Sequence, residues 1–520
     1  MPAVPLSQVA VHLRPEDNIA VAVRNLPPGL AVQYNGRTFT LSQRIGLGHK
    51  IALRDINKGE AIYKYGQIIG FAREDIPAGS HVHVHNVSAD AFERDYAFCR
   101  DCPPPPPPAE PRYFLGYDRG PDRPEHLRYG TRNYIALIST VNCSASTSKY
   151  ISERVRVSGL LQKYANVDGV VAITHKGGCA MQYDGPDHHQ LDRTLAGFAK
   201  HPNVAAYILV GLGCETGQAV HLIEHQGLLQ LGGLQKKPIV LTIQECGGIA
   251  KTVEAGVRAV AELLPRVNDV RRTRLSADKL ILGTNCGGSD GNSGVTANPA
   301  LGVAADLLVA QGGTVILGET PEIYGAEHLL TRRAIRREVG EKLIERIKWW
   351  EWYTGIFGAE INNNPSPGNK EGGLTTIYEK SLGAIAKGGS TALMDVVRYA
   401  EPVKAKGLVV MDTPGHDPVS MTGIVAGGAN VLVFTTGRGS VFGCKPAPSI
   451  KVATNTPMYQ HMIDDMDINA GVILEGTPVE EVGRQIFEEI LAVASGKKTK
   501  SELSGVGEEE FAPWSIGPTL

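Results

Sequence analysis

Six consecutive prolines, Pro103 to Pro108 in "CRDCPPPPPPAEPR", divide this chain into two unlike parts. A proline run lacks amide hydrogens and has a fixed φ. It neither continues a helix nor pairs as an inner strand, and so reads as a stiff, extended spacer. Before it, short apolar runs recur between turn signals: "IAVAVRNL", "LAVQYNGRTFTL", "HKIALRDINKG", "AIYKYGQIIGFA" and "DIPAGSHVHVHN". The breaks carry NG, KG and AG, and no long helical period occurs. That pattern predicts a small all-β domain.

After the prolines the period changes. The apolar runs "YIALISTVNCS", "GVVAITHKGGC", "VAAYILVGLGC", "PIVLTIQECGG", "KLILGTNCGGSD", "GTVILGETPE", "GLVVMDTPGHD" and "NVLVFTTGRGS" alternate with helical stretches such as "KYISERVRVSGLLQKYA" and "RAIRREVGEKLIERIKWWEWY". Strand, loop and helix in repetition predict parallel α/β layers. The polar segment "PRVNDVRRTRLSADK" marks a further boundary. The expected organisation is an all-β domain over 1–90, a linker over 91–112, an α/β domain over 113–268 and a C-terminal α/β catalytic domain over 269–520.

Charge and composition exclude several classes. The net charge is -2 and no basic run with interleaved aromatics occurs, which argues against nucleic acid. The N-terminus lacks a basic region followed by a long apolar core, and no apolar run reaches the ~18 residues of a membrane span. A cytoplasmic location is expected. The eight cysteines are spread over a large chain. In a reducing compartment they are thiols, some available as metal ligands.

In parallel sheets, ligands bind beyond the carboxyl ends of the strands. Several apolar runs end there in a thiol or polar residue beside glycine: Cys143, His175 with Cys179, Cys214, Cys246, Cys286 with Ser289 and Asp290, Glu319, Asp412 with His416, and Thr435, Thr436 and Arg438. Thiolates at successive strand ends suit soft metals or an iron–sulfur cluster, although the spacing is no CxxC framework. The alternative is a set of small buried apolar side chains. "NNNPSPGNKEGG" brings Asn, Ser and Lys groups fit for a polyhydroxylated anion, or is an ordered surface loop. Arg438 in "TTGRGS" offers a fork for a carboxylate. His49 and Lys50 in "GHKIALRDINKG" are candidates for proton transfer or a solvated pair. In "AGSHVHVHN", a strand would point His81, His83 and His85 to one side, toward a metal or toward water.

These motifs carry a family resemblance. "GHKIALRDINKGEAIYKYGQIIGFA", "GTRNYIALISTVNCSAS", "HKGGC", "VGLGCE", "CGGSDGNSGVTANPALG", "NPSPGNKEGGL", "FTTGRGS" and "MDINAG" resemble, in order, the motifs of the altronate/galactarate dehydratase family, from about residue 16 to the C-terminus. The resemblance implies an N-terminal SAF-like domain of β-clip type. It also implies a sugar-acid hydro-lyase that makes a 2-keto-3-deoxy acid, and a divalent metal, iron(II) or manganese. Sulfolactate sulfo-lyases are more distant relatives with the two parts on separate chains. "HVHVHN" and "TPEIYGAEHLL" resemble the altronate branch, which implies dehydration of D-altronate to 2-keto-3-deoxy-D-gluconate in hexuronate (galacturonate) catabolism, with galactarate or another aldonate or aldarate as the alternative. The polyproline run and "YDRGPDRPEHLRYGTRN" depart from the family pattern.

Such an elimination needs charge stabilisation at the carboxylate, help for the leaving hydroxyl and a base near the α-proton. The expected assignment gives the metal to His83 and His85, with His81 as a third ligand, or to thiolates among Cys143, Cys179, Cys214 and Cys286, where an iron–sulfur cluster is the alternative cofactor. Arg438 or Arg132 takes the carboxylate, and Asn369 and Lys370, with Thr436, take the rest of the substrate. His49, Lys50 or His175 moves the protons. The expected partners are the small sugar acid and a second copy of the chain in a dimer. A non-catalytic sugar-acid sensor is the competing class. A nicotinamide enzyme is disfavoured, because "GLGCETG" misses the GxGxxG spacing.

Overall fold

The computed structural model describes residues 3–120, 128–228 and 238–517. Residues 121–127, inside the divergent segment "YDRGPDRPEHLRYGTRN", lie outside the described residues.

Among the described residues, the N-terminal part is built of short strands. β1 (Ala10–Val11), β2 (Ile19–Ala22), β3 (Lys50–Ala52) and β6 (His81–Val82) form a sheet in the order β1-β2-β3-β6. β4 (Ala61–Lys64), β5 (Gln67–Ala72) and β7 (Val87–Ser88) form another in the order β7-β5-β4. The "HVHVHN" stretch is a strand only at His81–Val82. Asn86 ends it: its Oδ1 accepts from the His83 amide at 2.9 Å and its Nδ2 donates to the His81 carbonyl at 3.0 Å, turning the chain back.

The second part is a wholly parallel sheet of β9 (Tyr134–Ser139), β10 (Gly169–Ile173), β11 (Val204–Gly211) and β12 (Ile239–Thr242), ordered β10-β9-β11-β12. Its burial pattern is near-continuous, as expected of strands covered on both faces. Its helices include α1 (Ala145–Val157), α2 (Pro186–Ala199), α3 (Ala219–His225) and α4 (Ile249–Asn268).

The third part is a parallel sheet of β14 (Ile281–Cys286), β15 (Thr314–Leu317), β16 (Leu393–Val397), β17 (Gly407–Met411), β18 (Val431–Thr436), β19 (Ser449–Ala453) and β20 (Ile468–Asn469), ordered β16-β17-β15-β14-β18-β19-β20. The order reverses between β14 and β18, so a crevice opens at their carboxyl ends. α5 (Ala297–Ala310), α6 (Arg337–Ile356), α7 (Ile377–Ala384), α8 (Asp417–Ala426) and α9 (Val479–Ala494) cover the sheet or its ends. Between the two α/β parts, β8 (Tyr113–Asp118) pairs antiparallel with β13 (Thr273–Ser276), fastening the start of one to the start of the other.

The parts share cores. One apolar cluster joins Ile19, Ile62 and Val82 to Leu282, Val315 and Val433; another joins Ile138 and Phe198 to Ile316 and Phe434. At Gly197, α2 meets the Ala426 backbone of α8 so closely that any Cβ would overlap it. The linker, too, is fastened along its length. Tyr96 donates to Glu327, Cys99 and Asp101 donate backbone amides to Thr331 and Arg332, and Arg112 donates to Gln311. No described helix is long and apolar enough to cross a membrane.

Candidate functional site

The N-terminal domain sits on the carboxyl-end face of the seven-stranded sheet. The contact centres on glycine backbone. Within the third part, Gly291 donates to the Gly372 carbonyl at 2.8 Å, and Gly48 of the N-terminal domain closes on that pair. The Gly48 carbonyl lies so close to Gly291 and Gly373 that a Cβ at either would overlap it. Gly48 itself has φ +78, a conformation glycine adopts without strain. Three loops, from residues 46–49, 290–294 and 369–374, therefore interlock around one glycine.

Three histidines meet beside that wedge. His49 directly precedes β3, and Ile51 pairs with His81 across the β3–β6 ladder. The two-residue period puts His49 and His81 on one face and Lys50 on the other. His83 joins them from the Asn86 turn. Ring centroids are 4.9 Å apart for His49–His81, and 5.0 Å for both His49–His83 and His81–His83. One donor atom from each of the three lies within 4.8 Å of the others. His85, assigned with His83 from the sequence, is exposed on the turn and stands outside this set, because the strand ends before it. His49 takes its place.

Burial works against the charged form of all three rings. Burial, reinforced by the neighbouring cationic forms and Lys50, pushes His81 and His83 down to about 3. Burial also lowers His49, against the opposing Glu371 carbonyl. His49 Nε2 donates to that carbonyl at 3.0 Å, which leaves Nδ1 to accept from His81 Nε2 at 2.9 Å. His83 Nδ1 is buried without a partner. Three imidazoles with closely set ring nitrogens, one tautomer fixed by a backbone carbonyl, make a donor set suited to a divalent transition metal that displaces the proton between His49 and His81.

On the opposite face of β3 lies a buried charge clamp. Glu379 of α7 accepts from Lys50 at 2.9 Å and Lys64 at 2.8 Å, and all three side chains are fully buried. Thr375 adds its amide and hydroxyl to the same carboxylate. Burial alone would raise the Glu379 pKa, but the two ammonium groups hold it far below the usual carboxylate range. Lys50 is lowered to about 8, chiefly by burial, with Glu379 opposing and Lys64 assisting. Burial is the largest single effect on Lys64 and acts to lower it, but Glu379 and Tyr65 together outweigh it, so that its pKa rises. Lys50 also donates to the Gly373 carbonyl and Lys64 to that of Gly291. The Lys50 ammonium is thus spent on docking the two domains and is closed to a substrate. Lys64 and Glu379 carried no sequence signal.

At the crevice, Arg438 follows β18 and lies against Gly372 and Gly288; it is half exposed, with a 3.5 Å contact to Glu371. Lys370 is half-buried, and no hydrogen bond or ion pair of its ammonium occurs among the described residues. Asn369 is consumed locally: it caps with Ser366, and its Nδ2 donates to the Ser289 carbonyl at 2.9 Å. Thr436 accepts from the Gly439 amide and shapes the same turn. Asn292, missed in the sequence, packs beside Gly48 with both its amide nitrogen and oxygen buried and unpartnered. Deeper lie the Glu319–Lys387 and Glu322–Lys380 pairs. Glu319 is raised to about 8, burial outweighing Lys387, and its Oε1 has no partner.

Other sequence candidates lie elsewhere. Arg132 precedes β9 at the amino end of the second sheet, opposite the ligand-binding end. Its guanidinium is saturated by Glu502 and the carbonyls of Thr131, Val493 and Lys497, so it holds the fold and not a substrate. His175 is buried with both nitrogens engaged, by the Ser139 carbonyl and the Gly177 amide, and burial lowers it to about 4. No nitrogen remains for proton transfer. Cys286 is buried in the third part against Ser289, apart from the second-sheet thiols. Cys179, Cys143 and Cys214 follow the adjacent strands β10, β9 and β11, and all are exposed. Their loops are stitched by Asn142 N to Gly177 O at 2.9 Å and Gly217 N to Gly178 O at 3.0 Å.

Comparison with known proteins adds three family matches. Residues 8–90 match the altronate/galactarate dehydratase SAF domain. Residues 116–268 match the second domain of D-galactarate dehydratase/altronate hydrolase, and residues 277–519 the C-terminal domain of D-galactarate/altronate dehydratase. The chain is 34% identical to altronate dehydratase of Bacillus subtilis over 98% of its length and 99% of the relative's. It is 35% identical to altronate dehydratase of Escherichia coli, over 97% and 98%. It is 38% identical to the galactarate dehydratase (L-threo-forming) of Escherichia coli, over 94% and 93%.

Proposed function

Because the chain belongs to the altronate/galactarate dehydratase family and is a sugar-acid hydro-lyase, we propose that its substrate is D-altronate, converted to 2-keto-3-deoxy-D-gluconate and water in hexuronate catabolism. The observation that carries this reading is the His49–His81–His83 trio at the junction of the N-terminal domain and the sheet crevice. Two of its members belong to the "HVHVHN" stretch that resembles the altronate branch. Sequence identity does not separate the substrates, since the galactarate relative stands at 38% and the altronate relatives at 34% and 35%. The sensor reading finds no support in these three relatives, each named as a dehydratase.

The orphaned His83 Nδ1 and the closely set ring nitrogens fit a divalent metal, which His49, His81 and His83 would hold. Bound iron(II), or manganese, supplies Lewis acidity toward carboxylate and hydroxyl oxygens. Arg438 presents its fork to the substrate carboxylate, replacing its long contact with Glu371. Asn292 offers one donor and one acceptor to a substrate hydroxyl, which relieves two buried unpaired atoms. Lys370, next in sequence to the carbonyl that orients His49, carries the proton at the α-carbon. The alternative cofactor, an iron–sulfur cluster on Cys143, Cys179 and Cys214, is favoured by the stitching of their loops. A cytoplasmic homodimer is the proposed setting.

The test is a panel of hexonates, pentonates and hexarates with added iron(II), read by a chemical assay for 2-keto-3-deoxy acids. The highest kcat/KM is expected on D-altronate. A higher value on galactarate would overturn the substrate, and no keto-deoxy acid from any compound would overturn the reaction.

A further inference from the structure

The second domain carries another convergent donor set, away from the crevice. His188 and Asp192 lie one turn apart on α2, and His221 and His225 one turn apart on α3, so each helix turns a pair to one face. His188, Asp192 and His221 are all at least nine-tenths buried, and one donor atom from each lies within 4.8 Å of the other two. The His188 and His221 rings stack at 4.6 Å, with His225 stacked behind His221 at 3.9 Å.

The hydrogen bonds leave this set incomplete. His221 Nδ1 donates to Asp192 Oδ2 at 2.8 Å, so its Nε2 is a lone pair, and that nitrogen is buried without a partner. His188 Nε2 is likewise buried and unpartnered, 3.8 Å from Asp192 Oδ1. That gap is too long for a hydrogen bond and close to the separation of two ligands on one metal, about 3.3 Å for tetrahedral bonds of about 2.0 Å. Asp184 stands at the open side, its Oδ1 4.0 Å from His221 Nε2 and held by His189 Nε2 at 2.7 Å.

We propose that His188 Nε2, the Asp192 carboxylate and His221 Nδ1 bind a zinc-like transition-metal dication, which takes the place of the proton now shared by His221 Nδ1 and Asp192, while His221 Nε2 takes up that proton and faces Asp184. Nitrogen and carboxylate donors in this number suit zinc. The bound ion ties α2 to α3. Binding shifts the His188 ring proton from Nε2 to Nδ1, which displaces the Asp184 amide that now donates there at 3.0 Å. The site is independent of the substrate reading, because none of its residues is among those assigned to the reaction.

The experiment uses the full chain carrying H81A and H83A, stripped with chelator and titrated with Co²⁺ and, separately, Zn²⁺. The proposal expects one retained equivalent, a rise in Tm with Zn²⁺, and visible cobalt bands without a thiolate charge-transfer band. Adding His221→Ala or, with less risk to folding, Asp192→Asn should remove that equivalent and the Tm rise. No retained metal in the H81A/H83A protein, a thiolate band, or full retention after both further substitutions would overturn it.

Discussion

Glu379 faces two lysines in a fully dry site, and the arithmetic of that site decides what it does. Two positive charges share one carboxylate, so removing the carboxylate leaves both unpaired. Glu379→Gln should cost about 3–5 kcal/mol, read as a lowered midpoint in urea or heat; a loss below about 1 kcal/mol would contradict the clamp. The pH dependence has a defined sign. The two ammonium groups hold the folded Glu379 carboxyl far below the ordinary carboxylate range, so the unfolded chain binds more protons as the solution is acidified. Its stabilisation is complete above the ordinary carboxyl range and is lost as pH falls through and below it. Wild type should therefore lose stability on acidification below about pH 4.5 more steeply than Glu379→Gln. Arg132 makes the converse case. Saturated by Glu502 and three carbonyls, it should lower Tm when changed to Lys while KM is unmoved, whereas a raised KM with unchanged Tm would restore a substrate role. The sequence marked Arg132, His175 and Lys50 as polar residues near promising loops. It carried no record that their donors are consumed by chain segments far away in sequence.

Elements show where sequence periodicity holds and where it stops. The alternation of runs and helices after the prolines predicted parallel layers, and both sheets are parallel, because long buried strands and amphipathic helices write themselves into composition. "HVHVHN" obeyed a two-residue period that predicted three histidines on one strand face. Asn86 bonds back to His83 and His81 and ends the strand at Val82, so His85 leaves the set and His49 enters it from the neighbouring strand. Pairing between β3 and β6 is a long-range fact that local pattern does not contain. Asn86→Ala should release the turn and loosen His83, seen as weaker metal retention with little change in global Tm. Gly48→Ala should act more broadly. A Cβ there would lie 3.1 Å from both the Asn292 amide nitrogen and the Gly372 carbonyl, at φ +78. The expected result is faster limited proteolysis of the 91–112 segment and loss of dehydratase activity, with far-UV circular dichroism largely retained.

At the scale of the whole molecule, the N-terminal domain is no appendage on a spacer. Its core is continuous with that of the seven-stranded sheet, its clamp residues reach α7, and the proline-bearing segment is fastened to the third part rather than free of it. That arrangement brings histidines from one domain to a crevice made by another, at the point where strand order reverses. The family and the fold class were legible from ordered motifs along nearly the entire chain. The composition of the histidine trio was not, since it depends on the pairing of β3 with β6 and on the turn at Asn86. The His188–Asp192 and His221–His225 pairs carry a signal that went unread, because a four-residue spacing of such groups between two apolar runs fits one face of a helix. The most direct measurement of the central claim is iron and acid-labile sulfide in protein purified without oxygen, for wild type and for H81A/H83A, with D-altronate turnover assayed alongside. The account predicts iron without sulfide in wild type, and loss of both iron and turnover in the variant. Sulfide in proportion to iron, or iron and turnover undiminished in H81A/H83A, would contradict it.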